Sequence, residues 1–442
     1  MRVYYHTFGC KANQYDTERM RQEIEARGAS TVRDRAEADV VVVNTCTVTN
    51  QADAEARRFI RRLQREQPGQ SVIVAGCSAA LREPEYREMP GVVDVVPGHD
   101  PMLVATTVTR VAPESSGLIQ IEVRTSLDRM HAEPIGGELL RTRTGAARGW
   151  LKVQDGCDRK CSFCATRLAR GTSRSRPIVN VVAEARLLAQ SHAELVITGI
   201  HIGHYGLDFP EDSSLSTLCA ELLDSVPDVR FRLGSVEATE IDDLLLNLLA
   251  TSGGRLTPHL HMPLQSGADP VLRLMRRWHS RAQYRERALQ IAERVAPLGL
   301  GADVITGFPG ETDEDHASTR ALIEELPFTY LHVFPYSPRR DTHATSLTNP
   351  VPQRISGDRA RELREIALEK GIRYRRGRVG SKATVVVEGD GGTGLTEDYL
   401  RIGVGKPGDA APQERTVVTG TLLAEGAHLY IGLPRHSSRI SS

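Results

Sequence analysis

The chain has 442 residues, of which 40% are apolar and 25% charged, an ordinary composition for a soluble globular protein and enough length for two to three domains. Lys plus Arg and Asp plus Glu both number 56, so a zero net charge gives no argument for nucleic acid, and any RNA surface must come from local clusters of Arg. No run of 18 apolar residues occurs and Met1–Phe8 lacks the pattern of a signal peptide, so the expectations are no transmembrane helix, no membrane partner and a cytoplasmic location.

In chain order, apolar runs at Arg2–His6, Val40–Val43, Val72–Ala75 and Val92–Val96 alternate with helical patterns at Thr17–Ala26 and Ala52–Arg65. Short buried strands alternating with helices predict a doubly wound parallel sheet over residues 1–125. The seven cysteines are an odd count in a long chain, which favours metal binding or catalysis over a disulfide framework. Cys10, Cys46 and Cys77 each end an apolar run, one β/α repeat apart. Strand C-termini lie side by side on one edge of such a sheet, so these three would meet in space. A three-thiolate Fe–S site is one outcome; three unrelated buried cysteines is the other.

From Ser115 to Arg148 the pattern weakens, and Gly136-Gly137 with Arg141, Arg143 and Arg148 predicts a linker. A second strand–helix series follows over 143–375. Its candidate strands are Leu151–Val153, Leu195–Thr198, Arg230–Leu233, His259–Met262, Gly301–Ile305 and Tyr330–Phe334, and six β/α repeats predict a barrel or part-barrel. A long helix is expected over Gln353–Arg376. Beyond it, Ala383–Glu388, Tyr399–Val404, Arg415–Leu423 and Leu429–Gly432 between Gly-rich turns predict a small all-β barrel over 376–442.

The chemistry concentrates in Cys157-Asp158-Arg159-Lys160-Cys161-Ser162-Phe163-Cys164, a C-x3-C-x2-C loop after the first strand of the second series. Three thiolates this close can hold one face of a [4Fe–4S] cluster, and the missing fourth cysteine leaves one iron open for chemistry. A zinc knuckle with a distant His competes, but zinc loops favour paired C-x2-C units. Cys219 lies in a helical pattern and fits a core position. His259 and His261 fit hydrogen-bonded barrel residues better than ligands.

The loop resembles that of the radical S-adenosylmethionine superfamily, which implies reductive cleavage of S-adenosylmethionine to a 5′-deoxyadenosyl radical. By that resemblance Phe163 lies near the adenine, and Gly199, Ser235, Glu237, Gln265, Gly307 and Phe308 fall at cosubstrate-binding strand ends. With Phe8-Gly9-Cys10-Lys11-Ala12-Asn13, Asn44-Thr45-Cys46-Thr47-Val48-Thr49, Gly76-Cys77 and Gly307-Phe308-Pro309-Gly310-Glu311-Thr312, the whole chain resembles the methylthiotransferases. The C-terminal β domain resembles a TRAM domain, an RNA-binding barrel. The stretches Cys10–Glu18, Thr198–His201 and His332–Ser337 are most similar to the branch acting on N6-threonylcarbamoyladenosine at position 37 of tRNA. After Cys164 the chain departs from the family, because Ala165-Thr166-Arg167-Leu168-Ala169-Arg170-Gly171 keeps the basic-Gly step but lacks the Pro-aromatic pair.

The resemblance implies two [4Fe–4S] clusters, one on each cysteine triad, and S-adenosylmethionine. The radical abstracts the hydrogen at carbon 2 of the base, and methylated sulfur from the N-terminal cluster is transferred there. It also implies tRNA as partner, an electron donor such as flavodoxin or ferredoxin, and a sulfur donor that the sequence does not identify. Arg167, Arg170, Arg174 and Arg176 beyond the loop, and Arg373, Arg375, Arg376 and Arg378 before the β barrel, are expected to contact phosphates. Other outcomes are a methylthiotransferase acting on isopentenyladenosine or on a ribosomal protein, an Fe–S electron carrier, and a non-catalytic RNA-binding protein.

Overall fold

Val40–Thr45 reads Val-Val-Val-Val-Asn-Thr with every side chain buried, and it is the central strand of a five-stranded sheet. The computed structural model describes residues 1–47, 50–111, 139–389, 392–405 and 415–432, so Val48, Thr49, the Gly136-Gly137 linker and the boundary at 125 lie outside the described residues. Strands β1 (Arg2–Thr7), β2 (Ser30–Thr31), β3 (Val40–Thr45), β4 (Ser71–Gly76) and β5 (Val92–Val95) pair in the order β2-β1-β3-β4-β5, all parallel. A strand covered on both faces can be continuously β-branched. Val41 and Val43 meet Phe59, Ile60 and Leu63 of the helix Asn50–Glu66, while Val40 and Val42 meet Met20 and Ile24 of the helix Lys11–Ala26. The strand order reverses between β1 and β3, and the crevice at such a switch point is where ligands bind.

The second domain begins with β6 (Arg148–Lys152) and a short hairpin of β7 (Gln154–Asp155) and β8 (Arg174–Ser175). The parallel strands β9 (Glu194–Thr198), β10 (Arg230–Leu233), β11 (His259–His261), β12 (Gly299–Thr306) and β13 (Tyr330–Pro335) follow. They form two sheets, β6-β9-β10 and β11-β12-β13, joined by a bridge between Ser235 and His261. The result is an open six-stranded arc. Leu195, Ile197, Phe231, Leu233, Leu300 and Val304 pack outward into the main core beneath the helices. Side chains alternate along a strand, so Glu194, Arg232, His259, His261, Asp303 and His332 face inward and make the interior polar.

The helix Gln353–Arg378 packs against β13 and leads into β14 (Lys382–Glu388), β15 (Thr393–Thr396), β16 (Arg401–Val404), β17 (Val417–Glu425) and β18 (His428–Ile431), a closed barrel ordered β14-β15-β16-β18-β17. This small barrel seals the N-terminal end of the large one. Glu194, fully buried, accepts from Arg230 Nε (2.7 Å) and Arg232 Nε (2.8 Å). The same arginines donate onward to Thr384 O (2.9 Å) and Thr396 O (2.8 Å) of the small barrel. Burial alone would raise the Glu194 carboxyl, but Arg232 and Arg230 outweigh it and hold the group at about 2. Tyr399 stacks on His259 at 4.2 Å and completes the floor.

Candidate active site between two cysteine triads

β1, β3 and β4 end on one edge, where the chain turns through Gly9-Cys10, Thr45-Cys46 and Gly76-Cys77. Gly9 has a φ of +97°, and a Cβ there would fall 2.4 Å from Cys46 Sγ. Only glycine allows that close approach in that conformation. Asn13 Nδ2 donates to Phe8 O (2.6 Å) and Thr45 O (3.1 Å), tying two of the turns together. Cys46 and Cys77 are buried and Cys10 is exposed. Burial pushes the Cys77 thiol up to about 12, and its neighbours Cys10 and Cys46 push the same way. The three sequence-distant cysteines therefore share one site.

The second triad lies on the loop between β7 and the helix Thr166–Arg170. The Cys157 N–H donates to Gly171 O (3.1 Å), and the Cys164 N–H to Cys161 O (3.2 Å). Arg277 Nη1 donates to Cys161 Sγ (3.5 Å), Thr166 N to Cys164 Sγ (3.4 Å), and His201 Nδ1 lies 3.5 Å from Cys157 Sγ. Burial pushes the Cys157 thiol up to about 12, with Cys164 and Cys161 adding to it. A metal binds the thiolate form, so metal affinity and thiol ionisation are coupled.

The two triads face each other. Arg170, fully buried, donates Nε to Cys77 Sγ (3.1 Å), Nη2 to Asp16 (2.8 Å) and Asn13 (3.1 Å), and Nη1 to Asp155 (3.0 Å). Lys152 Nζ joins both carboxylates at 2.7 Å, and His99 Nε2 lies 2.6 Å from Asp155. Burial alone would raise the Asp155 carboxyl, but Arg170, Lys152 and His99 hold it well below the ordinary range. Arg339, also buried, interacts electrostatically with Cys46 of one triad and Cys164 of the other. Its Nη2 has no hydrogen-bond partner among the described residues.

Each triad offers three thiols, and the seventh cysteine, Cys219, lies in the core away from both, so the residues present fit a cluster that keeps one iron open.

The other expected positions lie on the same C-terminal rim. Gly199 packs so tightly that a Cβ would sit 2.7 Å from Gln154 O, and Gln154 Oε1 accepts from His201 N (2.8 Å). Ser235 is exposed beside the His261 strand. Glu237 is buried and ion-paired with Arg277, the donor to Cys161. Gln265 adopts a left-handed φ of 66° and bridges to β12, its N–H donating to Asp303 O (2.8 Å). Gly307, at φ +70°, lies against Ser356. Phe308 needs correction as a ligand contact. It is fully buried between Phe163 (6.4 Å, edge-on) and Tyr336 (5.1 Å), so it backs the half-buried Phe163 ring.

Three expected phosphate contacts also need correction. Arg170 is held between the domains as above. Arg176 is fully buried, with Nη1 and Nη2 on Glu184 at 2.9 and 3.0 Å. Arg378 is buried on Asp398 (2.7 Å). A run of arginines in sequence does not reveal which members turn inward. Arg167, Arg373 and Arg376 are exposed, and Arg174 and Arg375 are half-buried. His259 and His261 both hydrogen-bond to Tyr330 Oη, at 2.8 and 3.2 Å, and Cys219 is a core residue. Arg277 and Arg339 carry no sequence signature as site residues, because no local motif marks a side chain that approaches a cysteine from a distant segment.

A model described as uncharacterized protein family UPF0004 matches residues 2–98, and that of the radical SAM superfamily matches 151–323. The threonylcarbamoyladenosine tRNA methylthiotransferase MtaB of Rickettsia prowazekii is 35% identical, covering 90% of each chain. Its namesake from Bacillus subtilis is 36% identical over 82% of this chain and 79% of its own. The tRNA-2-methylthio-N(6)-dimethylallyladenosine synthase of Sorangium cellulosum is 32% identical over 87% and 81%. The solved structure of the radical S-adenosylmethionine methyltransferase TsrM from Kitasatospora setae shares the fold, with a TM-score of 0.55, 18% identity and 76% of each chain covered.

Proposed function

We propose that this chain, which belongs to the radical SAM methylthiotransferase family, adds a methylthio group to carbon 2 of N6-threonylcarbamoyladenosine at position 37 of tRNA. The observation that carries this is the pairing of two three-cysteine sites across Arg170 and Arg339, in a chain whose relatives bear that activity in their names.

Clusters bound at Cys157–Cys161–Cys164 and at Cys10–Cys46–Cys77 would supply, respectively, the 5′-deoxyadenosyl radical from S-adenosylmethionine and the site of sulfur delivery. The chain's own residues do the rest. Arg277 and His201 orient the radical-side thiols, and Phe163, backed by Phe308, offers a ring beside them. Arg170 fixes the spacing of the two triads, which sets where a base must lie to meet both. The small barrel closes the floor and keeps bulk water from that end. Exposed Arg167, Arg373 and Arg376 contact phosphates. A flavodoxin or ferredoxin supplies electrons. No helix among the described residues is long and apolar enough to cross a membrane.

Mass spectrometry of tRNA nucleosides from a strain lacking the gene tests the substrate. Loss of the 2-methylthio derivative of threonylcarbamoyladenosine is expected. An unchanged level of that nucleoside, or loss of the isopentenyl derivative instead, overturns the assignment.

A further inference from the structure

The inner face of the barrel carries a polar set with no part in holding either cysteine triad. Asp303 of β12 pairs in register with His332 of β13, and His261 stands on β11, on the other side of β12. His261 Nε2 and His332 Nδ1 both reach Asp303 Oδ1, at 3.1 and 3.2 Å. A carboxylate only accepts, so both rings donate to it. His261 then accepts the Tyr330 O–H at Nδ1 (3.2 Å), and Tyr330 Oη accepts from His259 Nε2 (2.8 Å). Four side chains on the two flanking strands thus fix Asp303 in one orientation. Burial alone would raise the Asp303 carboxyl, but the hydrogen bonds from His261 and His332 hold it well below the ordinary range.

Two acceptors of this set face the barrel interior. Among the described residues both histidines take Asp303 Oδ1, which leaves Oδ2. His332, donating through Nδ1, presents Nε2 as an acceptor. The His332 side chain is 53% exposed and that of Asp303 30%, although both point into the barrel. Phe334, the next inward residue of β13, is 44% exposed and edge-on to His332 at 6.3 Å. It stands roughly 7 Å nearer the rim, two residues along a strand. Just past the strand end, Tyr336 packs on Phe308, which backs Phe163 of the cysteine loop. An open wall therefore runs from the radical-side triad down to Asp303 and His332.

A phosphate or a carboxylate offers this wall only more acceptors. An apolar arm would strip water from both atoms and leave them unpaired, and a site built to hydrogen-bond rejects such a ligand strongly. The threonylcarbamoyl arm carries two donors that the isopentenyl arm lacks, its ureido N–H and its threonyl O–H. We propose that Asp303 and His332 bind the arm on N6 of the base by accepting those two donors, and so select a hydroxylated ureido arm over an isopentenyl one. Resting on the function proposed above, this names the residues that would read its substrate.

The test uses full-length, anaerobically iron-reconstituted protein and labelled anticodon stem-loops. These carry threonylcarbamoyladenosine, its glycinylcarbamoyl analogue without the hydroxyl, isopentenyladenosine or plain adenosine. Wild-type protein should bind the threonyl arm about five- to tenfold tighter than the glycinyl arm, the scale of one hydrogen bond. His332→Phe keeps a ring but removes the acceptor. Asp303→Asn, turned to satisfy the histidines, presents an amide N–H2 to the donors of the arm. Each should narrow the gap between threonylcarbamoyl and isopentenyl RNA by about tenfold, and His332→Gln should keep part of it. Equal weakening of all four RNAs would mean a contact to the RNA backbone or a purely structural role. Weaker S-adenosylmethionine binding would mean a contact to the cosubstrate ribose. A stoichiometric non-iron metal lost in Asp303→Asn would make the His261–Asp303–His332 set a metal site. Each of these overturns the proposal. If the variants fail to hold iron, carbethoxylation of His332 in the wild type decides. The threonylcarbamoyl loop should protect it more than the plain loop, and equal protection overturns the proposal. A preference for threonylcarbamoyl RNA that survives both variants sinks only the Asp303 and His332 assignment, whereas thiolation confined to isopentenyl RNA sinks the substrate reading itself.

Discussion

Arg170 Nε lies 3.1 Å from Cys77 Sγ, so a residue of the cysteine loop's own helix in one domain donates to a cysteine of the other. Its remaining nitrogens are taken by Asp155, Asp16 and Asn13, and none of its surface is exposed. One guanidinium thus fixes the distance between two sites that lie far apart in sequence.

Arg170→Ala should destabilise the protein by about 3–5 kcal/mol, because it leaves two buried carboxylates short of their fork-shaped partner. Arg170→Lys should recover only part of that, since an ammonium cannot make the same divergent bonds. Thermal unfolding of the apoprotein, followed by circular dichroism, measures both. A midpoint for Arg170→Ala equal to wild type would show that the network does not hold the domains.

Cys77→Ala should abolish methylthio transfer while sparing reductive cleavage of S-adenosylmethionine, because Cys77 belongs to the triad away from the radical loop. Cys161→Ala should abolish both. Chromatographic detection of 5′-deoxyadenosine with dithionite as reductant separates the two outcomes. Loss of both activities in a folded Cys77→Ala protein counts against the division of labour.

Acid should loosen the structure in two windows. His192 is buried and accepts the Arg143 N–H at Nε2 (2.9 Å) while facing Ala146 O with Nδ1 (3.0 Å), so it is held neutral, and burial pushes it down to about 4. A histidine depressed in the folded state costs stability as pH falls from about 6.5 towards 4. Glu194, held at about 2 by Arg232 and Arg230 against its burial, contributes stability that is present above about 4.5 and lost between there and 2. Denaturant titrations across pH should show Glu194→Gln flattening the lower window only. An unchanged acid limb in that variant contradicts the role of Glu194 in docking the small barrel.

Exposed Arg373 and Arg376 should govern the salt dependence of tRNA binding, and buried Arg378 should not. Each exposed arginine replaced by Ala should reduce the slope of log K against log salt by roughly 0.7–0.9. Arg378→Ala should act on stability, through its lost pair with Asp398. Filter binding over a salt series decides, and an unchanged slope in the Arg373→Ala, Arg376→Ala double variant removes this surface from the interface.

Much of this architecture was legible because its signals are local and repeated. The Val-rich β3, the strand ends at Cys10, Cys46 and Cys77, and the compact Cys157–Cys164 loop all announce themselves by period and spacing. The helix Lys11–Ala26 starts earlier than the expected Thr17 because buried polar Asn13, Asp16 and Thr17 mask its apolar face. The strand Thr393–Thr396 has no sequence signature because Thr-Gly-Leu-Thr is too short to show alternation. The inward turn of Arg170, Arg176 and Arg378, and the reach of Arg277 and Arg339 to cysteines of other segments, follow from tertiary packing that no local pattern encodes.

Methylthio transfer to threonylcarbamoyladenosine is measured on the full chain after anaerobic reconstitution with iron and sulfide. The protein is then incubated with S-adenosylmethionine, dithionite and tRNA carrying N6-threonylcarbamoyladenosine, and the nucleosides are analysed by mass spectrometry. The expected products are the 2-methylthio derivative of that base and 5′-deoxyadenosine. 5′-Deoxyadenosine without any thiolated threonylcarbamoyladenosine, alongside thiolation of isopentenyladenosine tRNA under the same conditions, would contradict the proposed function.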